Sequence, residues 1–434
     1  MPDSELTYGA TDVLVVGAGP AGSAAAGWAA RAGHEVLLAD AAQFPRDKTC
    51  GDGLTPRAIA ELELLGLGPW VRTHGINQGL RAAGFGQELL LPWPGGSLPG
   101  YGSAVPRTEL DARIRSVALD CGADELQGAR AVDVVRDADR VSAVCFRMAD
   151  GSRHQVSCQR LVVADGARSP LGRLLGRQWH QDTAYGVAAR SYVRSGRSDD
   201  QWISSHLELR GSEGELLSGY GWVFPLSNGE VNLGVGTLAT AKRPAGIRLR
   251  GLVDLYAASR WQEWELDGAV RHVSSALLPM GGAVSGVAGA NWALIGDAAG
   301  CVNPLNGEGI DYGLETGRLV AALLDTEDEL AVAWPALLRA HYGTAFSIAR
   351  RLAGLLTLPR LLPAAGPLGM RSKTLMTVAL RVMGNLVTEE DRDLTARAWR
   401  LAGRLSVRLD ERPPFPAADL RVHASATRLI RQAG

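Results

Sequence analysis

The chain has 434 residues, too many for one simple domain, and its 46% hydrophobic against 21% charged content is ordinary globular usage that allows a sizeable core. A formal net charge of -1 excludes nucleic acid as an expected partner, because there is no basic excess to neutralise phosphates. Its five cysteines, Cys50, Cys121, Cys145, Cys158 and Cys301, are odd in number and form no CxxC pair, which argues against a disulfide framework and a zinc site and suits a reducing cytosol.

The first residues, MPDSELTYGATD, are polar and lack the pattern of a secretory signal. Asp12–Val16 then reads as a buried parallel strand, Gly17–Gly22 as a tight turn, Ala21–Ala32 as a helix closed by Gly33, and Glu35–Ala39 as a second strand. The turn is Gly17-Ala18-Gly19-Pro20-Ala21-Gly22, whose glycines let backbone N–H groups approach a pyrophosphate at a helix N-terminus. Asp40 follows at the end of the second strand, where its carboxylate can bond ribose hydroxyls and repels a 2'-phosphate, so the expected dinucleotide is FAD or NAD rather than NADP.

Arg160–Ala164 and Trp292–Ile295 are later apolar runs ending in Asp-Gly or Gly-Asp, as parallel strands do when they deliver loops to a common edge. Between them, alternation at 205–210, 217–226 and 230–238, with Ser227-Asn228-Gly229 as a hairpin signal, predicts an inserted antiparallel sheet. Residues 314–410 are helical in pattern and rich in Ala, Leu and Arg, and Arg or Pro breaks each apolar run before the roughly 18 residues of a spanning helix. The expected organisation is a discontinuous cofactor domain at 1–75, 100–180 and 285–330, a substrate sheet at 76–99 and 181–284, a helical region at 331–416 and a loose tail at 417–434.

The glycine triad, Ala164-Asp165-Gly166 and Ile295-Gly296-Asp297, in that order, resemble the flavoprotein hydroxylase-like FAD superfamily. The resemblance implies an α/β Rossmann-type fold, FAD as cofactor, Asp297 on the ribityl chain, Asp165 near the cofactor and Arg107 reaching it; an acid that merely caps a helix is the competing reading of either Asp. The loop Asn303-Pro304-Leu305-Asn306-Gly307-Glu308-Gly309-Ile310 leads into a helix whose free N–H groups suit the negative charge of a reduced flavin.

Lys48-Thr49-Cys50-Gly51-Asp52-Gly53, together with Tyr220-Gly221-Trp222-Val223-Phe224-Pro225, resembles the geranylgeranyl reductases, and over nearly the whole chain their actinobacterial menaquinone-reducing branch. The chain departs from that pattern at Asp52, where Gly is usual, at Asp40, where Glu is common, and at Leu226 in place of a frequent Lys. Tyr220, Trp222 and Phe224 alternate and must share one strand face, either as an aromatic wall for a polyprenyl chain or as an ordinary sheet face under helices.

The resemblance implies a reductase that saturates an isoprenyl double bond with a hydride from flavin N5. Cys50, Tyr220 and Trp222 are its candidate catalytic residues, and Lys48, Cys50 and Gly51 also lie near the cofactor. Cys50 is alternatively a buried inert thiol. A monooxygenase acting on an aromatic or quinone ring is the rival enzyme, and a lipid carrier retaining FAD is the rival outside enzymology. The electron donor is open between NAD(P)H and a redox protein. From Ala331 to Thr388 there is no acid, while Arg339, Arg350, Arg351, Arg360, Arg371, Lys373 and Arg381 punctuate apolar runs. That stretch suits either peripheral contact with the inner face of the cell membrane or helices carrying solvated arginines.

Overall fold

Near-continuous runs of Val and Leu place Leu6–Val16 in the middle of a sheet covered on both faces. A computed structural model describes residues 6–244, 248–326 and 329–416. Leu6–Val16 pairs in parallel with Val36–Asp40 on one side and Arg153–Val163 on the other; Asp124–Gln127 and Trp292–Leu294 extend the parallel order outward. An antiparallel ribbon, Arg130–Asp137 with Arg140–Arg147, continues from Arg153–Val163, and the short strand Ala288–Gly289, antiparallel to Trp292–Leu294, completes eight strands. The helices Pro20–Arg31, Arg107–Asp120 and Ile310–Leu324 pack together around the first of them. The small residues Gly27 and Ala118 let two of these axes approach, a Cβ on Gly27 standing 3.5 Å from the Ala118 backbone.

The second sheet has seven strands in the order Leu266–Leu278, Tyr185–Ser195, Glu230–Ala239, Gly219–Pro225, Trp202–His206, Gly79–Gly84 and Gln87–Pro92. The hairpin through Ser227–Gly229 is present, with Pro225 opposite Val231 and Ser227 at φ 56°. The alternation at 205–210 straddles a strand end: the strand is Trp202–His206, held in parallel register by Gly79–Gly84, and the chain turns away after Leu207 donates to the Ala83 carbonyl. Residues 79–92 thus cross over to join the inserted sheet. The tail at 417–434 lies outside the described residues.

Five helices follow the last strands: Ile310–Leu324, Leu330–Leu356, Leu361–Met370, Lys373–Met383 and Leu394–Arg408. No helix among the described residues is long and apolar enough to cross a membrane. Four of the seven basic residues in the acid-free stretch are spent internally, which corrects their reading as a bilayer-facing set. Arg339 donates to the Phe415 carbonyl, Arg350 pairs with Asp410, Arg351 donates to the Leu409 carbonyl, and Arg381 pairs with Asp391 and Asp393. The acids that pair with Arg350 and Arg381 come from beyond residue 388, where the chain folds back, so two of the seven charges are neutralised in space although not in sequence.

That return ends with Phe415, fully buried against Phe346 and the backbone of Gly282, to whose carbonyl it donates its N–H at 2.8 Å. Phe415→Ala removes a ring that closes the main core from its C-terminal side. The expected cost is about 3–5 kcal/mol in urea unfolding monitored by circular dichroism, the usual range for Phe truncation in a packed core.

Candidate functional site

The parallel strands end together, and Gly17 turns there with φ 107°; a Cβ at this position would sit inside contact distance of the Ala164 carbonyl. Only glycine lets the two strand ends lie that close. Gly22 does not face the open space: a Cβ there would collide with the Gly17 carbonyl, so it seats the helix on the turn and does not line the cavity as expected of it. Gly17, Gly19, Pro20 and Ala21 do line it. The helix Pro20–Arg31 starts with no side-chain cap, which leaves its first-turn N–H groups without a partner from a capping side chain. Asp40 holds the turn in place, one carboxylate oxygen accepting from Ala18 N and the other from Ala42 N, both at 2.7 Å, while it faces the same cavity.

The two later acids separate in role. Asp165 accepts from Ser169 Oγ and from Leu171 N, so its carboxylate caps the helix Pro170–Leu174, the structural use weighed against cofactor contact. Asp297 sits in a single 3-10 turn, Gly296–Ala299, and lines the cavity, its carboxylate making no hydrogen bond to another described residue while its backbone carbonyl accepts from Gly300 N at 3.0 Å. Gly307, Gly309 and Ile310 lie opposite, at the uncapped start of Ile310–Leu324. Beside them Glu308 accepts from Thr55 Oγ1, and burial pushes its carboxyl well up. Arg107 is buried, its Nε and Nη2 fastened to Asp111 at 2.7 and 2.8 Å, so the guanidinium edge next to Cys50 is fixed in place.

The loop Asp47–Gly53 lies between these groups and the second sheet. Lys48 and Cys50 line the cavity, and the Lys48 carbonyl accepts from Arg190 at 3.0 Å. Burial raises the Cys50 thiol above its ordinary range, with the Arg107 charge opposing, so the sulfur keeps its proton at neutral pH. The loop backbone rests on the aromatic strand: a Cβ on Gly51 would stand 3.2 Å from the Phe224 ring, and one on Gly53 2.9 Å. Tyr220, Trp222 and Phe224 share the cavity-facing side as their alternation requires, with centroids 6.0 and 6.2 Å apart along the row. Their polar edges are occupied, Tyr220 Oη donating to the Asn306 carbonyl at 2.5 Å and Trp222 Nε1 to Asn232 Oδ1 at 2.9 Å.

A single cavity of about 990 Å³ therefore runs from the glycine turn, past Cys50, along the aromatic row to the helices at 361–383. Its far end is apolar, walled by Leu80, Leu91, Met370, Met376, Leu380 and Met383. Sequence reasoning missed this helical wall, as it missed Asn232, Tyr192 and Arg190. Asn232 left a readable sign, a lone amide within the apolar strand Glu230–Ala239 and itself fully buried.

The near end fits FAD. Two uncapped helix starts face one space, a turn too tight for any Cβ brings backbone to it, and Asp297 offers an unpaired carboxylate as a hydroxyl acceptor. Asp297→Ala removes that acceptor without touching a protein partner. The expected result is flavin affinity lower by roughly 10–100-fold, the worth of one charged hydrogen bond, with an unchanged circular dichroism spectrum.

Comparison with known proteins agrees with this geometry. Residues 10–226 match the FAD binding domain family. The menaquinone reductase of Mycobacterium tuberculosis (strain ATCC 25618 / H37Rv) is 63% identical over 404 residues, covering 93% of this chain and 98% of that protein. Digeranylgeranylglycerophospholipid reductase 1 of Methanopyrus kandleri is 30% identical over 310 residues, 71% of this chain and 78% of its own. Among solved structures, a geranylgeranyl bacteriochlorophyll reductase-like protein from Thermoplasma acidophilum superposes with a TM-score of 0.70 at 20% identity, covering 92% of this chain and 96% of that one, and shares the fold. A chain with this glycine turn, this Cys-Gly loop and these relatives belongs to the FAD-binding flavoproteins of the geranylgeranyl reductase family, in the branch of the menaquinone reductases.

Proposed function

We propose that the chain saturates one isoprenyl C=C bond of a polyprenyl lipid, in the first place of a menaquinone side chain. The observation that carries this reading is the continuity of the cavity, in which the flavin cradle opens directly into an apolar trough between the aromatic row and the Met-rich helices. When bound and reduced, FAD supplies the hydride, and the protein supplies place, dryness and the proton.

A trisubstituted alkene is unactivated, so positive charge builds on its tertiary carbon as a proton adds to the less substituted carbon, and the tertiary carbon then receives the hydride. The faces of Trp222 and Phe224 stabilise that charge, and the Leu and Met side chains opposite them keep water away from it. Each methylene sheltered in the trough adds about 0.8 kcal/mol of binding, enough for a few prenyl units to seat the chain firmly. Cys50 stands where cradle and trough meet and holds a proton on Sγ, raised by burial and kept in position by the fixed Arg107. The test is incubation of purified, FAD-loaded, chemically reduced protein with menaquinone and, separately, with geranylgeranyl diphosphate, followed by mass spectrometry. A gain of two hydrogens in the menaquinone side chain is expected; a gain of one oxygen identifies a monooxygenase instead and contradicts the reading.

Access for so apolar a substrate is a matter of where the trough opens. Of the basic set, Arg360, Arg371 and Lys373 are exposed, with no ion pair or hydrogen bond from their side chains among the described residues, and Leu358, Leu368 and Leu375 are exposed on the helices Leu361–Met370 and Lys373–Met383 and the turn before them. These helices also wall the trough, which supports peripheral docking of this edge on an anionic bilayer at the inner face of the cell membrane. Changing Arg360, Arg371 and Lys373 together to Glu is expected to abolish sedimentation with anionic vesicles, since each basic residue near such a surface contributes about 1 kcal/mol. Turnover of detergent-dispersed lipid should stay intact.

A further inference from the structure

Asp52 is the residue that the reading above leaves unexplained. It takes a left-handed backbone, φ 63°, which glycine adopts freely and Asp or Asn only at a modest cost, and its side chain is completely buried. A carboxyl retained under both penalties is retained for what it touches. Oδ2 accepts from Tyr192 Oη at 2.7 Å and from Asn232 Nδ2 at 2.9 Å, while Oδ1 has no hydrogen-bond partner among the described residues. The Asp52 N–H in turn donates to Cys50 Sγ at 3.3 Å.

Asn232 is the centre of the arrangement. Its Nδ2 also donates to the Cys50 carbonyl at 2.8 Å, and its Oδ1 accepts from Trp222 Nε1. One amide on the strand Glu230–Ala239 thereby touches the cysteine loop twice and the aromatic row once. From the neighbouring strand Tyr185–Ser195, Arg190 holds the start of the loop at Asp47 and Lys48, and Tyr192 holds its end at Asp52. The loop that carries Cys50 is therefore built into the substrate sheet by side chains, although in sequence it belongs to the cofactor half.

We propose that Asn232 and Asp52 are positioning residues for the reduction: Asn232 pins the Cys50–Gly51 backbone at a fixed spacing from Trp222, and Asp52 secures the pin and sets the electrostatics of the Cys50 sulfur. This rests on the reductase reading above. Three titratable or charged groups face Cys50: Arg107 from the helix Arg107–Asp120, Tyr220 from the aromatic strand, and Asp52 from the loop itself. Of these, Asp52 disfavours the thiolate and Arg107 favours it. Burial pushes the Asp52 carboxyl up to about 6, so at neutral pH the carboxylate predominates and acts on the sulfur, and Tyr192 and Asn232 are the donors that keep it charged.

The test uses the oxidised, FAD-loaded holoenzyme and iodoacetamide, with alkylation of the Cys50 peptide followed by mass spectrometry across neutral to alkaline pH. Asp52→Asn preserves the backbone, which Asn tolerates, and preserves an oxygen for Tyr192 and Asn232, but removes the charge. Its alkylation midpoint is expected to fall, whereas that of Tyr192→Phe is expected to stay at or above the wild-type value, because the Asp52 carboxylate is ionised where the thiol titrates and has then lost a donor that spreads its charge. Asn232→Ala is expected to lower kcat for prenyl reduction about 10²-fold, the cost of a displacement on the order of 1 Å, with flavin content and KM near those of the wild type.

An unmoved midpoint in Asp52→Asn overturns the proposal, and so does wild-type kcat in Asn232→Ala. If Asn232→Ala fails to fold, the two alkylation midpoints decide. If the wild type itself saturates no isoprenoid, the reductase reading falls, while the alkylation profiles still decide how Cys50 is held.

Discussion

The contact on which the rest of the molecule depends is the one between the backbone of Gly51–Gly53 and the rings of Trp222 and Phe224. Any side chain at 51 or 53 would wedge the cysteine loop off the aromatic strand, since a Cβ at 53 already meets Phe224 at 2.9 Å. Because both positions are glycine, the edge of a parallel sheet and the face of an antiparallel one are brought together there. The cavity then passes from one to the other without a break. A flavin cradle alone is common to many chemistries; a cradle that opens into an apolar trough is not.

Energetically the seam is polar, which is unexpected between two apolar layers. Arg190, with almost no exposure, stacks 4.3 Å over Tyr192 and reaches Asp47 and Lys48, while Tyr192 and Asn232 converge on Asp52. Buried polar groups add little net stability, and Asp52 Oδ1 and Arg190 Nε have no hydrogen-bond partner here, but directional bonds fix one geometry where greasy contacts would allow several. Flat aromatic and Met surfaces slide over one another easily. Directional bonds do not, and a site that brings a carbon atom to a hydride donor needs a fixed distance.

Much of this is legible in the sequence. Alternation at Tyr220, Trp222 and Phe224 located the wall because a strand has a period of two whatever packs on it. The glycine turn and Asp40 located the cradle because close backbone approach admits few residue types. Other features depend on what the chain meets in space. Asp165 carries the same Asp-Gly signature whether it meets a ligand or caps a helix, and in the fold it accepts from the N–H of Leu171 while also lining the cavity. Arg350 and Arg381 of the acid-free stretch look free in sequence because Asp410, Asp391 and Asp393, which bind them, come later in the chain. Tyr192 and Arg190 gave no sign, being ordinary strand residues until the cysteine loop arrives beside them.

The most direct test of the account is a crystal structure of the FAD-loaded protein soaked with a menaquinone or a shorter polyprenyl analogue. The account predicts that the prenyl chain lies along Trp222 and Phe224 toward Met370 and Met376, with a double bond beside the flavin near Cys50. Density for the chain elsewhere, for example in the separate hollow lined by His206, Tyr256 and Glu263, with the trough closed, would contradict it.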